Sequence, residues 1–420
     1  MTPSAASSAS AVPGDTILDV QQTSCCVVGA GPGGAILALL LARKGVPVTL
    51  LEAHRDFDRD FRGDTVHPSA LELLDEIGLA DRLLEMRHTK VYGPTVRAAN
   101  GPFMPVDLRN IKTKFPYIML VPQTSFLEFI VAEAKKFPSF RLIMNGNVQS
   151  LIEEDGVVGG VRFLGLDGWH EVRATLTVGA DGRFSRVRLL LGIEPVATSP
   201  PMDVLWFRLP RLPEDPREPT GVFGGFGRGH ILVVLDRFDY WQVGYVFPKG
   251  GYQHLRAAGL DELRCSIAAI EPQFIKHIEF LTDWQQCSLL SVESSFCKCW
   301  YKLGVLLIGD AAHVMSPVGG VGINYAIQDA VVAANLLAEP LRKGRVAIED
   351  LAAVQRERQL PVRFIQAVQT AIQKRLIASV LQSQEPLNVP GFVRFLVRLP
   401  LLRKLPARVI GWGLRRVHVQ

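Results

Sequence analysis

A short apolar run, Cys25–Val28, stops at Gly29-Ala-Gly31-Pro-Gly33-Gly34 and is followed by a strongly helical stretch, Ala35–Lys44, that ends at Gly45. A second β-branched run, Val46–Leu51, then ends at an acid, Glu52, 23 residues after Gly29. Strand, glycine turn, helix, strand and acid together constrain the fold more than any other feature of the chain. Gly29 permits the tight turn, Gly31 lets the backbone approach a pyrophosphate, and Gly34 lets the helix pack on the sheet. The helix N-terminus offers N–H donors and a positive dipole end to phosphates, and Glu52 stands where an acid accepts the ribose hydroxyls. This predicts a dinucleotide site, without deciding between a flavin and a nicotinamide dinucleotide.

The 420 residues exceed what one hydrophobic core organises, and 48% hydrophobic with 21% charged residues excludes a disordered or fibrous chain. The net charge of +5 is unevenly placed. Residues 371–420 carry nine Lys/Arg and one acid, leaving residues 1–370 at −3. Six cysteines do not make a disulfide scaffold, and Cys297-Lys-Cys299 has no companion Cys/His pair, so no metal site is expected. Residues 1–21 are Ser/Ala/Pro/Gly-rich without a basic or apolar signal region and read as a disordered lead. No uncharged apolar stretch approaches the ~20 residues of a membrane span. A cytoplasmic protein is the simplest expectation.

Two further turns narrow the cofactor. Thr175–Gly179 runs into Ala-Asp181-Gly182-Arg-Phe-Ser185 and an Arg-rich helix. Gly304–Ile308 runs into Gly309-Asp310-Ala-Ala-His313, then Ser316-Pro317-Val-Gly319-Gly320-Val-Gly322-Ile323-Asn324 and another helix. A lone Asp after a strand is commonly a helix cap; two such Gly/Asp turns after a nucleotide fingerprint are not commonplace. From about Ser24 to Leu341 the sequence resembles the class A flavin monooxygenases, the fold family of para-hydroxybenzoate hydroxylase. The resemblance implies FAD, with Glu52 on the adenosine ribose and Asp310 on the ribityl chain. It places Asp181 and Gly182 near the pyrophosphate and the approach of NAD(P)H. Arg62 matches an arginine near the flavin, and Gln123 a glutamine contacting the cofactor before a helix. Gly322, Ile323 and Asn324 would begin a helix facing the flavin N1/C2=O edge, where reduced flavin is anionic. Pro317 and Gly320 would line the flavin face used for oxygen chemistry, with no side-chain acid or base assigned. Ser316 departs from the family by standing where many relatives carry a second proline.

The expected fold class is α/β: a Rossmann-like FAD-binding domain with an inserted antiparallel β-sheet substrate domain and a C-terminal helical segment. The FAD domain is expected over 22–84, 121–196 and 297–345, the substrate domain over 85–120 and 197–296, and a basic helical segment over 346–420. Strands rich in β-branched and aromatic residues offer Trp206, Arg208, Phe223, Phe226, Tyr240, Trp241 and Tyr245 as substrate candidates, though alternate members of each strand are core. Among these Trp206, Arg208, Phe223 and Tyr245 are singled out. His67 begins a helix and His313 sits in the Gly-Asp motif, so both read as structural first.

The tail reads as helices capping the FAD domain. A basic amphipathic segment with Trp412 at a membrane surface is the second reading, and no nucleic-acid motif accompanies the charge. The resemblance implies an NAD(P)H- and O2-consuming monooxygenase that hydroxylates or epoxidises an aromatic, polycyclic or quinone-like small molecule through a flavin C4a-hydroperoxide. Such chemistry needs no protein nucleophile. A reductase of isoprenoid chains and a non-catalytic flavin-bound redox sensor are the alternatives. A flavin halogenase is disfavoured because no Trp-x-Trp-x-Ile-Pro segment occurs.

Overall fold

The computed structural model describes residues 16–58, 64–216, 220–383, 388–389, 391, 399 and 404–420. In chain order the elements used below begin with β1 (Ile17–Val28), α1 (Pro32–Arg43), β2 (Val48–Leu51) and α2 (Pro68–Glu76). They continue with α3 (Gln123–Ala134), β3 (Phe140–Ile143), β4 (Trp169–Gly179) and α4 (Arg186–Leu190). Next come β5 (Met202–Pro210), β6 (Val222–Phe226), β7 (Ile231–Asp236), β8 (Tyr240–Pro248) and α5 (Leu260–Ile270). The last are β9 (Val305–Leu307), α6 (Gly322–Arg342), α7 (Ile348–Ile372) and α8 (Lys404–Trp412).

Five strands pair in parallel in the order β9-β4-β1-β2-β3. Except in the edge strand β3, their central residues are buried on both faces, as parallel sheets between helices require, and Cys25, Cys26 and Val27 are fully buried in β1. All residues of α1 from Gly33 to Ala42 are buried, because α6 and α3 cover it as well as the sheet. Its sequence is accordingly apolar all round. Val318–Arg342 has the length and apolarity of a membrane span, but it is the core helix of this domain and 72% buried in its apolar window.

A second, seven-stranded sheet runs in the order Ser288–Leu290, β5, β8, β7, β6, Thr95–Ala98, Gly101–Phe103. Two separate excursions of the chain build it. It is antiparallel except where β6 meets Thr95–Arg97 in parallel.

Two expected boundaries move. The strand β1 begins at Ile17, so Ile17–Gln21 pair with Trp169–Val172 instead of belonging to the lead. The division at residue 346 separates nothing, because α7 places Leu351, Val354, Val362 and Ile365 in the same core as α1 and α6. The tail also resolves in favour of a cap where it is described. Trp412 is buried and its indole N–H donates to Glu72 Oε1 at 3.1 Å, so it does not face a membrane. His418 bonds Glu76 and Asn335 bonds the His418 carbonyl, tying the terminus to α2 and α6.

Candidate functional site: a cofactor edge and the sheet above it

Glu52, Gly29, Asp181 and Gly309 follow β2, β1, β4 and β9 and therefore gather at the carboxyl edge of one parallel sheet, where open α/β sheets bind ligands. The ladder runs straight into these turns. Gly29 N–H donates to Leu51 O, Ala180 N–H to Val28 O, and Ile308 N–H to Gly179 O. Gly29 has φ +99°, and a Cβ there would lie 2.6 Å from Ala180 O. A Cβ on Gly34 would meet Gly29 O at 2.0 Å, so that residue lets α1 sit down on the turn. Gly31 differs: a Cβ would touch nothing within 4 Å, and no side chain caps α1. The open position beside an uncapped helix start is the shape a pyrophosphate fits.

The carboxylates divide by role. Glu52 is buried and aimed back at the turn, accepting Ala30 N–H at 3.0 Å on one oxygen and the backbone and Nδ1 of His54 on the other. Asp181 instead points inward. Its oxygens accept the Ser185 hydroxyl and Val187 N–H, and burial raises its pKa despite those bonds. Its side chain supports the first turn of α4, whose N-cap is Ser185, leaving the open, positive-φ Gly182 at the edge. Asp310 lies half-buried in a 3-10 turn beside it. Arg188 joins the two Gly-Asp turns by donating to the carbonyls of Arg183, Asp310 and Ala311. Gln123 opens α3 with its backbone N–H on Asp64 Oδ1, and no hydrogen bond reaches its side-chain amide among the described residues. Arg62 lies outside the described residues.

The glycine loop leads into α6. Gly319 and Gly320 take φ +82° and +62°, and Pro317 and Gly319 are exposed at the edge. Thr65 Oγ1 donates to Gly320 O at 2.7 Å. The Asn324 side chain is turned away from the edge: Oδ1 accepts His67 N–H at 2.8 Å and Nδ2 reaches Thr65 O. Gly322 and Ile323 begin the helix without a side-chain cap. Beneath the turn, Asp329 is fully buried and accepts Gly309 N–H, His313 Nε2 and Arg358 Nε. Burial alone would raise its pKa; His313 and Arg358 hold it below the ordinary carboxylate value. His313 is therefore structural, as its motif implied. His67 is fully buried with Nδ1 on Ile410 O, and burial pulls its pKa down to about 4.

Strand register sorts the substrate candidates. Leu205, Phe207, Trp241 and Tyr245 pack against α5 on the back of the second sheet, with Phe223 against Trp241 and Phe274. Tyr245 also bonds Ser266 of α5. Phe223 and Tyr245, singled out as substrate candidates, thus pack with Trp241 in this core and point away from the cofactor edge. Trp206 lies on the opposite face, packed in the cluster that Val318 of the glycine loop joins. Its ring covers Gly244, where a Cβ would lie 2.7 Å from it. Arg208, two residues on, is exposed over the Tyr240 ring at 5.0 Å, and Phe226 pairs on the same face.

Several residues escaped the sequence. Asp329, Arg358 and Arg188 look like surface charges in helices. Arg237, whose guanidinium pairs with Asp64 and Gln242 at the seam between sheet and cofactor edge, looks like a hairpin residue. Only Asp329, adjacent to the quoted motif, carried a usable positional signal.

Residues 22–366 match the family described as FAD binding domain. The chain belongs to this family. It is 33% identical to 6-methylpretetramide 4-monooxygenase of Streptomyces rimosus over 96% of this chain and 95% of that protein. Protoasukamycin 4-monooxygenase of Streptomyces nodosus subsp. asukaensis is 27% identical over 81% and 86%. Among solved structures, p-nitrophenol 4-monooxygenase PnpA from Pseudomonas putida DLL-E4 superposes with a TM-score of 0.73 at 20% identity, over 95% of this chain and all of that one, and supports the fold. The protein is an FAD-dependent monooxygenase with NAD(P)H as electron donor.

Proposed function

We propose that the enzyme oxygenates a phenolic or quinone-like polycyclic aromatic compound held between the glycine loop and the Trp206 face of the second sheet. The observation that carries this is the relative spanning nearly the whole chain, 6-methylpretetramide 4-monooxygenase, whose name gives monooxygenation at position 4 of its substrate. The sheet supports it: on the face toward the loop Trp206 and Val233 stay partly exposed over the buried Val204 and Val246, with Arg208 and Tyr240 at the margin. Bound FAD supplies electron transfer from NAD(P)H to dioxygen, one oxygen atom entering substrate and the other leaving as water.

The chain's own contribution is binding and orientation. Gly29, Gly31 and Gly34 would seat the pyrophosphate at the α1 N-terminus, and Glu52 the ribose. The Asp181-Gly182 and Gly309-Asp310 turns would flank it, with Asp310 toward the ribityl chain. Pro317, Gly320, Gly322 and Ile323 would border the flavin ring, Asn324 acting through Thr65 and His67. Gln123 would complete the enclosure, and Arg62, outside the described residues, is given only the role its resemblance implies. Six free thiols fit a reducing cytoplasm.

The test is a substrate screen with purified enzyme. It should be yellow, and its NADPH oxidation should rise with a tetracyclic phenol and give product 16 mass units heavier. A gain of two mass units would indicate reduction, and colourless protein would end the flavoprotein reading. Hydroxylation and epoxidation give the same mass gain and are separated by NMR of the product, and parallel reactions with NADH separate the two donors.

A further inference from the structure

Beside the apolar residues that join the core, the inward face of α7 carries a buried polar stripe. Arg358, Gln366 and Gln369, continued by Gln373 in the π-helical turn Gln373–Ile377, share one stripe and are all buried. Each reaches the segment that carries the cofactor turn and the glycine loop, or its support. Arg358 holds Asp329, which holds Gly309 N–H. Gln366 Nε2 donates to Val314 O at 3.1 Å and Ser295 O at 2.9 Å. Gln373 Nε2 donates to the Ser316 hydroxyl. Between them Gln369 Nε2 donates to Ser316 O at 2.9 Å and Val318 O at 2.8 Å, the two carbonyls that bracket Pro317.

The Gln369 amide is 2% exposed, and its Oε1 has no partner among the described residues. Leaving such an acceptor buried and unpaired works against the fold. Its two donated bonds are the interactions visible against that cost. They do not close a helix or a sheet; they fix the spacing of one exposed proline.

We propose that α7 is a positioning spine for the flavin-bordering loop and that Gln369 is its central positioning residue, an amide clamp that sets where Pro317 stands. The proposal rests on the reading that the loop from Pro317 to Ile323 borders the flavin ring. It also explains the departure at Ser316: a hydroxyl there gives Gln373 an acceptor that a proline would lack.

The test compares Q369L, which keeps the volume and loses both donors, with V362A, which removes apolar packing from the same helix while leaving every hydrogen bond to the loop in place. Holoenzyme is titrated for FAD affinity by flavin fluorescence, the visible bands of bound FAD are recorded, and thermal unfolding is followed in parallel. Expected for Q369L is an FAD dissociation constant raised about tenfold with displaced flavin bands, whereas V362A lowers the melting temperature and leaves both flavin readouts as in wild type. If Q369L does not fold, Q369N, an amide one methylene too short to span both carbonyls, carries the same expectation. Wild-type affinity and spectrum in the Gln369 variants, or equal disturbance by V362A, would overturn the proposal. A wild-type protein that retains no FAD would overturn the underlying flavoprotein reading as well.

Discussion

His67 lets a buried group be read out by pH. The ring is fully buried, Nδ1 donates to Ile410 O of α8, and burial takes its pKa from 6.5 to about 4. The folded protein therefore binds this proton less readily than the unfolded chain. Stability from this group is fully present above 6.5, falls as pH drops toward 4, and falls no further below that. A displacement of this size is worth about 3 kcal/mol in total, of which about 2 kcal/mol is lost between roughly pH 7 and pH 5. The variant His67→Gln keeps a donor for Ile410 O but has no proton to gain. Urea unfolding of FAD-saturated wild type and H67Q, followed by tryptophan fluorescence across that interval, isolates the term, because every other titrating group is common to both proteins. The gap between the two stabilities should close by about 2 kcal/mol as pH falls. Parallel pH profiles for the two proteins would refute the buried-histidine argument.

Other outcomes follow from the same geometry. Gly31→Val should leave the apo fold's melting temperature close to wild type and abolish tight FAD binding, since its Cβ meets open space, whereas Gly34→Ala should destabilise the apo fold itself. Arg358→Met should cost about 3–5 kcal/mol in chemical denaturation by stranding the Asp329 charge, with much of the loss recovered in the D329N/R358M double variant. Trp206→Ala should raise KM for the polycyclic substrate severalfold, while Tyr245→Phe should leave kinetics unchanged and cost about 1 kcal/mol of stability through its bond to Ser266.

What the sequence revealed depended on how local the cause was. The Gly29–Glu52 unit was legible because each glycine answers a backbone demand, a positive φ or a close carbonyl, that no other residue meets. The second sheet was legible as strands but not as faces. Alternation separates Trp206 from Leu205, yet it does not say which set meets the cofactor edge; that depends on α5 covering the other side. Asp181 was ambiguous for a related reason, since cap and ligand look alike until Ser185 and Val187 are placed. The α7 spine was hidden more deeply. Glutamines on a helix read as a solvated face, and only the irregular backbone from Met315 to Val318, which has no ladder of its own, explains why they point inward.

The second sheet is assembled from two visits of the chain, whose strands pair, among the described residues, along one short seam, Phe223–Gly225 against Thr95–Arg97. Its strands are therefore not a transplantable cassette. A chimera that exchanged 202–290 with a relative while keeping 95–103 would ask strands of different parentage to find the same three-residue parallel register, with Gly224 and Gly225 offering little side-chain guidance. Recombination that preserves folding would have to carry both visits together, so shuffling of substrate preference should favour exchanges spanning residues 95–290 and, with them, the Asp181 turn.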